Sequence, residues 1–328
     1  MKKQLGKITL LIGKLMVIST LFIIVVRSYT IDTFAAYEFK TMLPPAGEII
    51  SLNKENFSFS AISDTGARDE ILEKIIQKIT PTDAAFILYL GDLVRYRNPS
   101  HFRWMAEEIY SELNEKSFYA VPGNHDIISE KGKVDRNLYT SIFGQPYYWF
   151  VHGNTLFIGL DSSEEKYDDK QIEWLKFILN NIRPNYKNCI IYSHVPPISF
   201  NPDVNKVLDN DSKIKFADAI RDKGINLLLS GHVHYHAEGE FEGIPLVLLP
   251  SSGQNIRGEI KNYGYINVHI NSSDIATEVQ YIDKQEDTTD YLELFFSSAI
   301  VKKEVAHVGI WLFAFGILLI ATGAILRK

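Results

Sequence analysis

Residues 121–126 of the chain read Val121-Pro122-Gly123-Asn124-His125-Asp126. It sets an Asn-His-Asp run on a Pro-Gly turn, directly after the strand-like residues 117–121. Turn residues at a strand end lift polar side chains out of the sheet, to where a site can form. Four more strand-like runs end in the same way, in polar clusters that contain Asp64, Asp92, His194, and the pair His232 and His234.

The five clusters together offer two Asp, one Asn and three His side chains. Carboxylate, amide and imidazole groups suit hard or borderline divalent metals, so the pattern predicts a dinuclear metal centre in outline. Taken singly, Asp64 and Asp92 could instead cap helices, and His232 and His234 could form a structural pair. The recurrence of such clusters at five strand ends favours the metal centre.

Helical patterns separate the polar clusters along the chain. Amphipathic helices predicted over 69–80, 101–115 and 211–223 each follow a strand-like run and its polar cluster. Alternating units of this kind predict a largely parallel sheet, with the ligand site at the carboxyl ends of the strands. From 244 to 282 strands follow one another without helices, which predicts a second sheet that closes the domain.

Composition narrows the class of protein. The chain has 328 residues, of which 46% are hydrophobic, enough for one large domain or two small ones. Its formal net charge of -6, without clusters of Lys and Arg, argues against a nucleic-acid partner. The single cysteine, Cys189, excludes an intramolecular disulfide, and its apolar strand pattern predicts a core side chain.

The N-terminal region carries an apolar segment of 19 residues at 8–26, interrupted by Lys14. Roughly 20 helical residues cross the hydrocarbon layer of a bilayer, so the segment predicts a transmembrane anchor within residues 1–29, followed by a linker at 30–54. The uninterrupted run 15–26 also suits a cleaved signal peptide, which would release a secreted protein.

The C-terminal region carries a second apolar segment, at 305–326. It predicts a transmembrane helix within 304–328, after a linker at 286–303. Lys2, Lys3 and Lys7 against Arg27 place the N-terminus in the cytoplasm. Two spans then put both termini in the cytoplasm and the domain predicted over 55–285 outside it.

The order of the motifs resembles that of the calcineurin-like metallophosphoesterase superfamily. From Asp64 to His234 the chain reads D-x-G, G-D, G-N-H-D, H-x-P-P and G-H-x-H. The resemblance implies an α/β fold, a four-layer α/β/β/α sandwich of two mixed sheets between helices, with two divalent metals at the strand tips. Matched residue by residue, the first metal is held by Asp64 and His234, the second by Asn124, His194 and His232, and both by the bridging carboxylate of Asp92.

The resemblance also implies an enzyme that hydrolyses phosphoric esters. In such sites a pair of metals clamps the phosphoryl group and generates a hydroxide that attacks phosphorus in line. His125 is then the general acid or hydrogen-bond donor at the leaving group, and Asp126 orients it. Arg95 lies beside the site in the sequence and is a candidate contact for the substrate phosphate.

Two departures from the family pattern concern the first metal. Many members carry D-x-H in the first motif, whereas the third position here is Gly66. The purple-acid-phosphatase branch also has D-x-G, with a tyrosine ligand three residues after the Asp of the second motif, where this chain has Arg95. By comparison with the family pattern, the first metal therefore lacks one ligand. Because the tyrosine ligand is absent, Mn, Fe(II) or Zn is expected at the centre.

The amino-acid sequence is compatible with two functions. The first is a membrane-anchored, metal-dependent phosphoesterase that acts on a phosphomonoester or phosphodiester, with a substrate at the membrane or cell wall. The second is a catalytically weak metal-binding membrane protein of the same fold, which the absent first-motif histidine supports. The adjacent His125 and Asp126 favour the enzyme, since a structural metal site does not need them.

Overall fold

The structure, a computed structural model, describes residues 2–35, 47–51, 54–66, 69–94, 99–113, 116–128, 132–254, 256–257, 262–282, 314–322 and 324–325. The chain divides into two compact units, the larger over Phe39–Lys284 and the smaller over Met1–Glu38 with Gln285–Lys328. All five polar clusters lie in the larger unit.

A seven-stranded mixed sheet forms one half of the larger unit. Its strands are β1 (Glu48–Ser51), β5 (Tyr148–His152), β6 (Thr155–Leu160), β7 (Asn188–Ser193), β8 (Leu227–Ser230), β9 (Ala237–Phe241) and β10 (Ile244–Leu248). They lie in the order β1-β5-β6-β7-β8-β10-β9. The central strands β6, β7, β8 and β10 are parallel, so their carboxyl ends lie at one edge.

A five-stranded mixed sheet forms the other half. Its strands are β2 (Asn56–Ile62), β3 (Phe86–Tyr89), β4 (Ser117–Ala120), β11 (Tyr263–Asn271) and β12 (Asp274–Ile282). They lie in the order β12-β11-β2-β3-β4, and β2, β3 and β4 are parallel. Antiparallel β11 and β12 complete the edge beyond β2.

Helices cover the outer face of each sheet. The helices of the larger unit are α2 (Asp69–Ile79), α3 (Pro99–Glu112), α4 (Asn124–Ile127), α5 (Asn137–Phe143), α6 (Asp169–Asn181) and α7 (Asn210–Ile220), with a short 3-10 turn at Arg183–Asn185. Helix α1 (Lys2–Ala35) belongs to the smaller unit. One hydrophobic cluster joins α2 and α3 to the five-stranded sheet, and another joins α6 and α7 to the seven-stranded sheet. A third, rich in phenylalanine, fills the space between the sheets. The mixed α/β sandwich expected from the sequence is therefore confirmed.

The region 244–282 differs from its prediction. It does not form a second sheet of its own, because β10 pairs with β8 in the seven-stranded sheet while β11 pairs with β2 in the five-stranded one. Strands β10 and β11 thus hydrogen-bond to the free edges of β8 and β2, which come earlier in the chain, and satisfy their backbone donors and acceptors. The strands of the preceding strand–helix units therefore also divide between the two sheets, with β2, β3 and β4 in one and β6, β7 and β8 in the other.

The smaller unit contains the predicted membrane segments. The part of α1 from Lys2 to Phe22 is long and apolar enough to cross a membrane, and large side chains such as Leu11 and Phe22 are 59% and 64% exposed. Of the second span predicted over 305–326, the described residues 314–322 and 324–325 are helical and the others lie outside the description. One candidate span is therefore found among the described residues, and the two-span topology is not established.

Candidate metal centre

The proposed ligands meet at the carboxyl edges of both sheets. Asp64, Asp92 and Asn124 follow β2, β3 and β4 of the five-stranded sheet, whereas the three histidines follow β7 and β8 of the seven-stranded sheet. The site consequently spans the seam between the sheets. Parallel strands place their carboxyl ends side by side, which is why clusters far apart in sequence become neighbours.

Two overlapping groups of side chains have the geometry of metal sites. Ligand atoms of Asp64, Asp92 and His234 lie within 4.8 Å of one another, and so do those of Asp92, His194 and His232. All five residues are buried, and both groups contain Asp92. A carboxylate shared in this way can offer one oxygen to each of two cations. Five of the six predicted ligands therefore fall into two groups that share Asp92.

The second group has its ring nitrogens oriented for ligation. The Nδ1 of His194 lies 2.7 Å from the carbonyl oxygen of Leu90, so Nδ1 carries the proton and Nε2 is left as the ligand atom. That Nε2 atom faces three acceptor atoms, at 3.2 Å from Asn124 Oδ1, 3.0 Å from His232 Nδ1 and 3.4 Å from Asp92 Oδ2. A cation would satisfy all four atoms at once.

Other features of the described chain fit a bound cation. The buried atoms Asp64 Oδ1 and His232 Nε2 have no hydrogen-bond partner among the described residues, although His234 Nε2 lies 3.2 Å from that oxygen. Asp64, Asp92, His232 and His234 also have positive φ, with values from 59° to 67°. Such backbone strain in residues other than glycine concentrates at functional sites. The donor atoms and the backbone conformations of these residues therefore suit the binding of divalent ions.

The centre carries excess negative charge. Burial opposes ionisation of Asp92 and Asp64, yet neighbouring imidazoles, chiefly His194 for Asp92 and His234 for Asp64, hold the pKa of both carboxyls below the usual range. Although burial disfavours its cation, Asp92 and Asp64 raise the pKa of His194 to about 9. Burial, together with the charge on His194, holds the pKa of His232 well below its usual range. Divalent ions would replace the His194 proton as the partner of these carboxylates.

Asp126 has a different place from the one expected. Its two carboxylate oxygens accept hydrogen bonds from the backbone amides of Asp92, Leu93 and Gly123, at 2.8 to 2.9 Å. These bonds tie the loop after β3 to the loop after β4, and they replace the predicted contact with the His125 ring. The expectation that Asp126 orients His125 is corrected accordingly, because both oxygens already serve the two loops.

The two loops approach each other closely at Gly123. A Cβ atom on Gly123 would lie 2.2 Å from the amide nitrogen of Asp92 and 2.3 Å from Asp92 Oδ1. Glycine is therefore required for the approach that allows the amide of His125 to donate to Asp92 Oδ1, at 2.9 Å. The turn in the G-N-H-D motif thus positions the shared carboxylate.

His125 lies at the solvent side of the centre. Its side chain is 36% exposed, and its Nε2 atom lies 3.9 Å from Asp92 Oδ2. The ring can therefore meet a substrate from outside while remaining close to the shared carboxylate. Arg95, the predicted substrate contact, lies outside the described residues.

Three residues near the centre escaped the sequence analysis. Lys206 is half-buried and interacts electrostatically with Asp64, Asp92 and Arg257. Arg257 and Gln254 follow β10 on a turn whose backbone bonds to the site, as in the bond from Arg257 N to His234 O at 2.9 Å. None of the three belongs to a recurring motif, so only the fold brings them to the site.

Comparisons with known proteins identify a family and several relatives. The family model for the calcineurin-like phosphoesterase matches residues 57–236. A probable cyclic nucleotide phosphodiesterase of Rhodococcus erythropolis is 24% identical over 59% of this chain and 65% of its own. The serine/threonine-protein phosphatase CPPED1 of Pongo abelii is 26% identical over 54% of this chain and 62% of its own.

The chain spans a little under two thirds of the length of these two relatives. Among solved structures, a dimetal phosphatase from Danio rerio has a TM-score of 0.56 and 13% identity, covering 70% of this chain and 97% of that one. At this identity the likeness concerns the fold alone.

Replacement of Asp126 by alanine tests its role between the two loops. We expect the free energy of unfolding to fall by about 2–4 kcal/mol, because several buried backbone amides lose their acceptor. Urea unfolding of the purified full-length chain measures this, with exposed Asp274→Ala as the matched control, expected to change it by about 0.5 kcal/mol or less. Unchanged stability in Asp126→Ala would contradict the assignment.

Proposed function

Because the chain belongs to the calcineurin-like phosphoesterase family, we propose that it hydrolyses a phosphoric ester at a centre of two divalent ions. The observation that carries the proposal is the pair of buried ligand groups that share Asp92 at the strand tips. Divalent ions bound there supply positive charge that polarises a phosphoryl group and lowers the pKa of water. The proposed ligands are Asp64, Asp92, Asn124, His194, His232 and His234.

The proposed role of His125 is to donate a proton or hydrogen bond to the leaving-group oxygen. Its ring is partly exposed, and its backbone amide donates to Asp92 Oδ1, which supports a position of the ring beside a phosphoryl group bound at the two ions. Asp126 contributes as a positioning residue, since it holds both loops that carry His125 and Asp92. A general acid of this kind accelerates a reaction by about 10²- to 10⁴-fold.

Lys206 is proposed to balance the charge of the bound phosphate. It interacts with both carboxylates of the centre and with His232, and it is half-buried, where a charge is screened less than at the surface. Arg257 adds a second cation nearby. These cations would contact the substrate phosphate, the role predicted for Arg95, alone or together with Arg95.

Metal-dependent hydrolysis is the first test of the proposal. With Mn, we expect the full-length chain to hydrolyse bis(p-nitrophenyl) phosphate or p-nitrophenyl phosphate, and chelation to remove the activity. Asp92→Asn should abolish turnover because both ions lose a ligand, and His125→Ala should lower kcat by about 10²-fold or more. Exposed Asp274→Asn and His269→Ala are the matched controls, expected to keep full activity.

Two outcomes of this assay are informative about the alternatives. The preferred ester decides between a diesterase and a monoesterase. Failure to hydrolyse either ester, in folded protein that holds two ions per chain, would reject the enzyme for these substrates and favour the catalytically weak metal-binding protein, for which Gly66 in the first motif is the supporting observation.

Lys206→Met separates the two substrate classes by charge. A monoester carries up to two negative charges and a diester one, so loss of a nearby cation should weaken the monoester reaction more. We expect kcat/KM to fall about tenfold for the monoester, equivalent to about 1.4 kcal/mol, and less for the diester. The exposed Lys170→Met is the control. Equal loss for both esters would contradict the role in charge balance.

We propose in addition that α1 anchors the domain outside the cytoplasm. Support comes from the apolar part of α1, whose large side chains are exposed, and from the lysines that precede it. The phosphoric ester would then be one presented at a membrane or wall surface. The alternative is a signal sequence, because an apolar N-terminal helix fits both.

Alkaline extraction of membranes and the intact mass of the chain test the anchor. We expect the chain to stay in the membrane pellet with residues 1–29 attached, because a spanning apolar helix is not released by high pH. Protease added outside intact cells should digest the domain. A soluble chain that begins near Tyr37 would instead establish cleavage and secretion.

A further inference from the structure

Gly66 occupies the position where the first motif often carries a histidine, and the structure identifies the group that fills the space above it. A Cβ atom on Gly66 would lie 2.2 Å from Cγ and 2.8 Å from Cδ of Gln254. Gly66 also has a φ of +57°. A larger side chain at position 66 would collide with Gln254, so the two side chains compete for the same space beside Asp64.

The backbone of Gln254 is fixed on the loop that carries Asp64. The amide of Gln254 donates to the carbonyl oxygen of Asp64 at 2.8 Å, and the amide of Ser252 donates to that of Ser63 at 2.9 Å. The hydroxyl of Ser251 bonds the carbonyl oxygens of Asp64 and Gln254, at 3.1 and 2.8 Å. The side chain therefore starts from a defined position next to the first ligand group.

The Gln254 carboxamide points to the shared carboxylate. Its Nε2 atom lies 3.4 Å from Oδ2 of Asp92, the residue that belongs to both groups of ligands. A carboxamide has nearly the same shape when its oxygen and nitrogen exchange places. A half-turn about its last bond thus directs Oε1, a metal-binding atom, to the place that Nε2 occupies.

We propose that Gln254 Oε1 is a neutral ligand of the cation held by Asp64, Asp92 and His234. The inference rests on the proposed metal centre, and it supplies the ligand that Gly66 leaves out. Two carboxylates, one amide oxygen and one imidazole make this half of the centre rich in oxygen. Such a donor set favours Mn over Zn, in contrast to the second half, which has two imidazoles.

Manganese binding to the full-length chain tests the ligand. Isothermal titration with Mn(II), together with the electron paramagnetic resonance spectrum of a coupled Mn pair, is measured for the wild type and for variants at position 254. We expect Gln254→Leu, which keeps the volume without a donor, to weaken one of two sites at least tenfold and to remove the coupled signal. Gln77→Leu, on the exposed face of α2, is the matched control.

Gln254→Glu decides between a ligand and a hydrogen-bond donor to Asp92. A glutamate keeps an oxygen for the metal and adds charge, so a ligand role predicts that Mn affinity is kept or increased. If Gln254 only donates to Asp92, the same change removes the donor and brings two carboxylates together, so affinity falls. A fall in Gln254→Glu, or no change in Gln254→Leu, would overturn the proposal.

Asp64→Asn separates this inference from the proposed function. Loss of one Mn site in Asp64→Asn, with binding unchanged in Gln254→Leu, would reject the Gln254 ligand and keep the metal centre. A wild-type chain that binds no Mn, Fe(II) or Zn would reject the centre itself. Circular dichroism of each metal-free variant checks that the fold is retained, and the Glu variant keeps the test valid if the Leu variant unfolds.

Discussion

The buried carboxylate of Asp126 is the constraint on which the rest of the site depends. It accepts backbone hydrogen bonds from both the loop after β3 and the loop after β4, so the two loops keep one relative position. Burial and the nearby Asp92 raise the pKa of Asp126 to about 7, whereas the bonds from the amides of Gly123 and Asp92 lower it. Those bonds favour the ionised form of the carboxyl, and they fix the position of Asp92 between the two ligand groups.

The two sheets must also be held in a fixed relation, because the ligands come from both. Phenylalanines fill the space between the sheets, with Phe59 stacked on Phe86 at 5.2 Å and Phe86 edge-on to Phe157 at 5.3 Å. Nearer to the site, the hydroxyl of Tyr148 donates to the carbonyl oxygen of Ala120 at 3.0 Å, across the seam. Close packing of rigid rings allows little sliding of one sheet over the other, so the histidines stay opposite the carboxylates.

The ligand loops themselves are under strain that a bound cation would offset. Asp64, Asp92, His232 and His234 adopt left-handed backbone conformations, and the carboxylates are buried next to one another. Despite its burial, His194 has a pKa that Asp92 and Asp64 raise to about 9, and its Nε2 atom lies 3.4 Å from Asp92 Oδ2. Folding therefore brings buried carboxylates together, and the scaffold of parallel strands and aromatic packing stabilises a site that would be unfavourable alone.

The alternation of strands and helices, the polar clusters at the strand ends and the family could be predicted from the amino-acid sequence, since each depends on residues adjacent in the chain. The sequence did not reveal that β10 and β11 join different sheets, that Asp126 bonds the loop at Asp92 instead of the His125 ring, or that Gln254 lies above Gly66. The contact between Gln254 and Asp92 joins residues 162 positions apart. No periodicity or motif encodes such a pair. The contact forms because the loop after β10 in one sheet packs against the loop after β3 in the other.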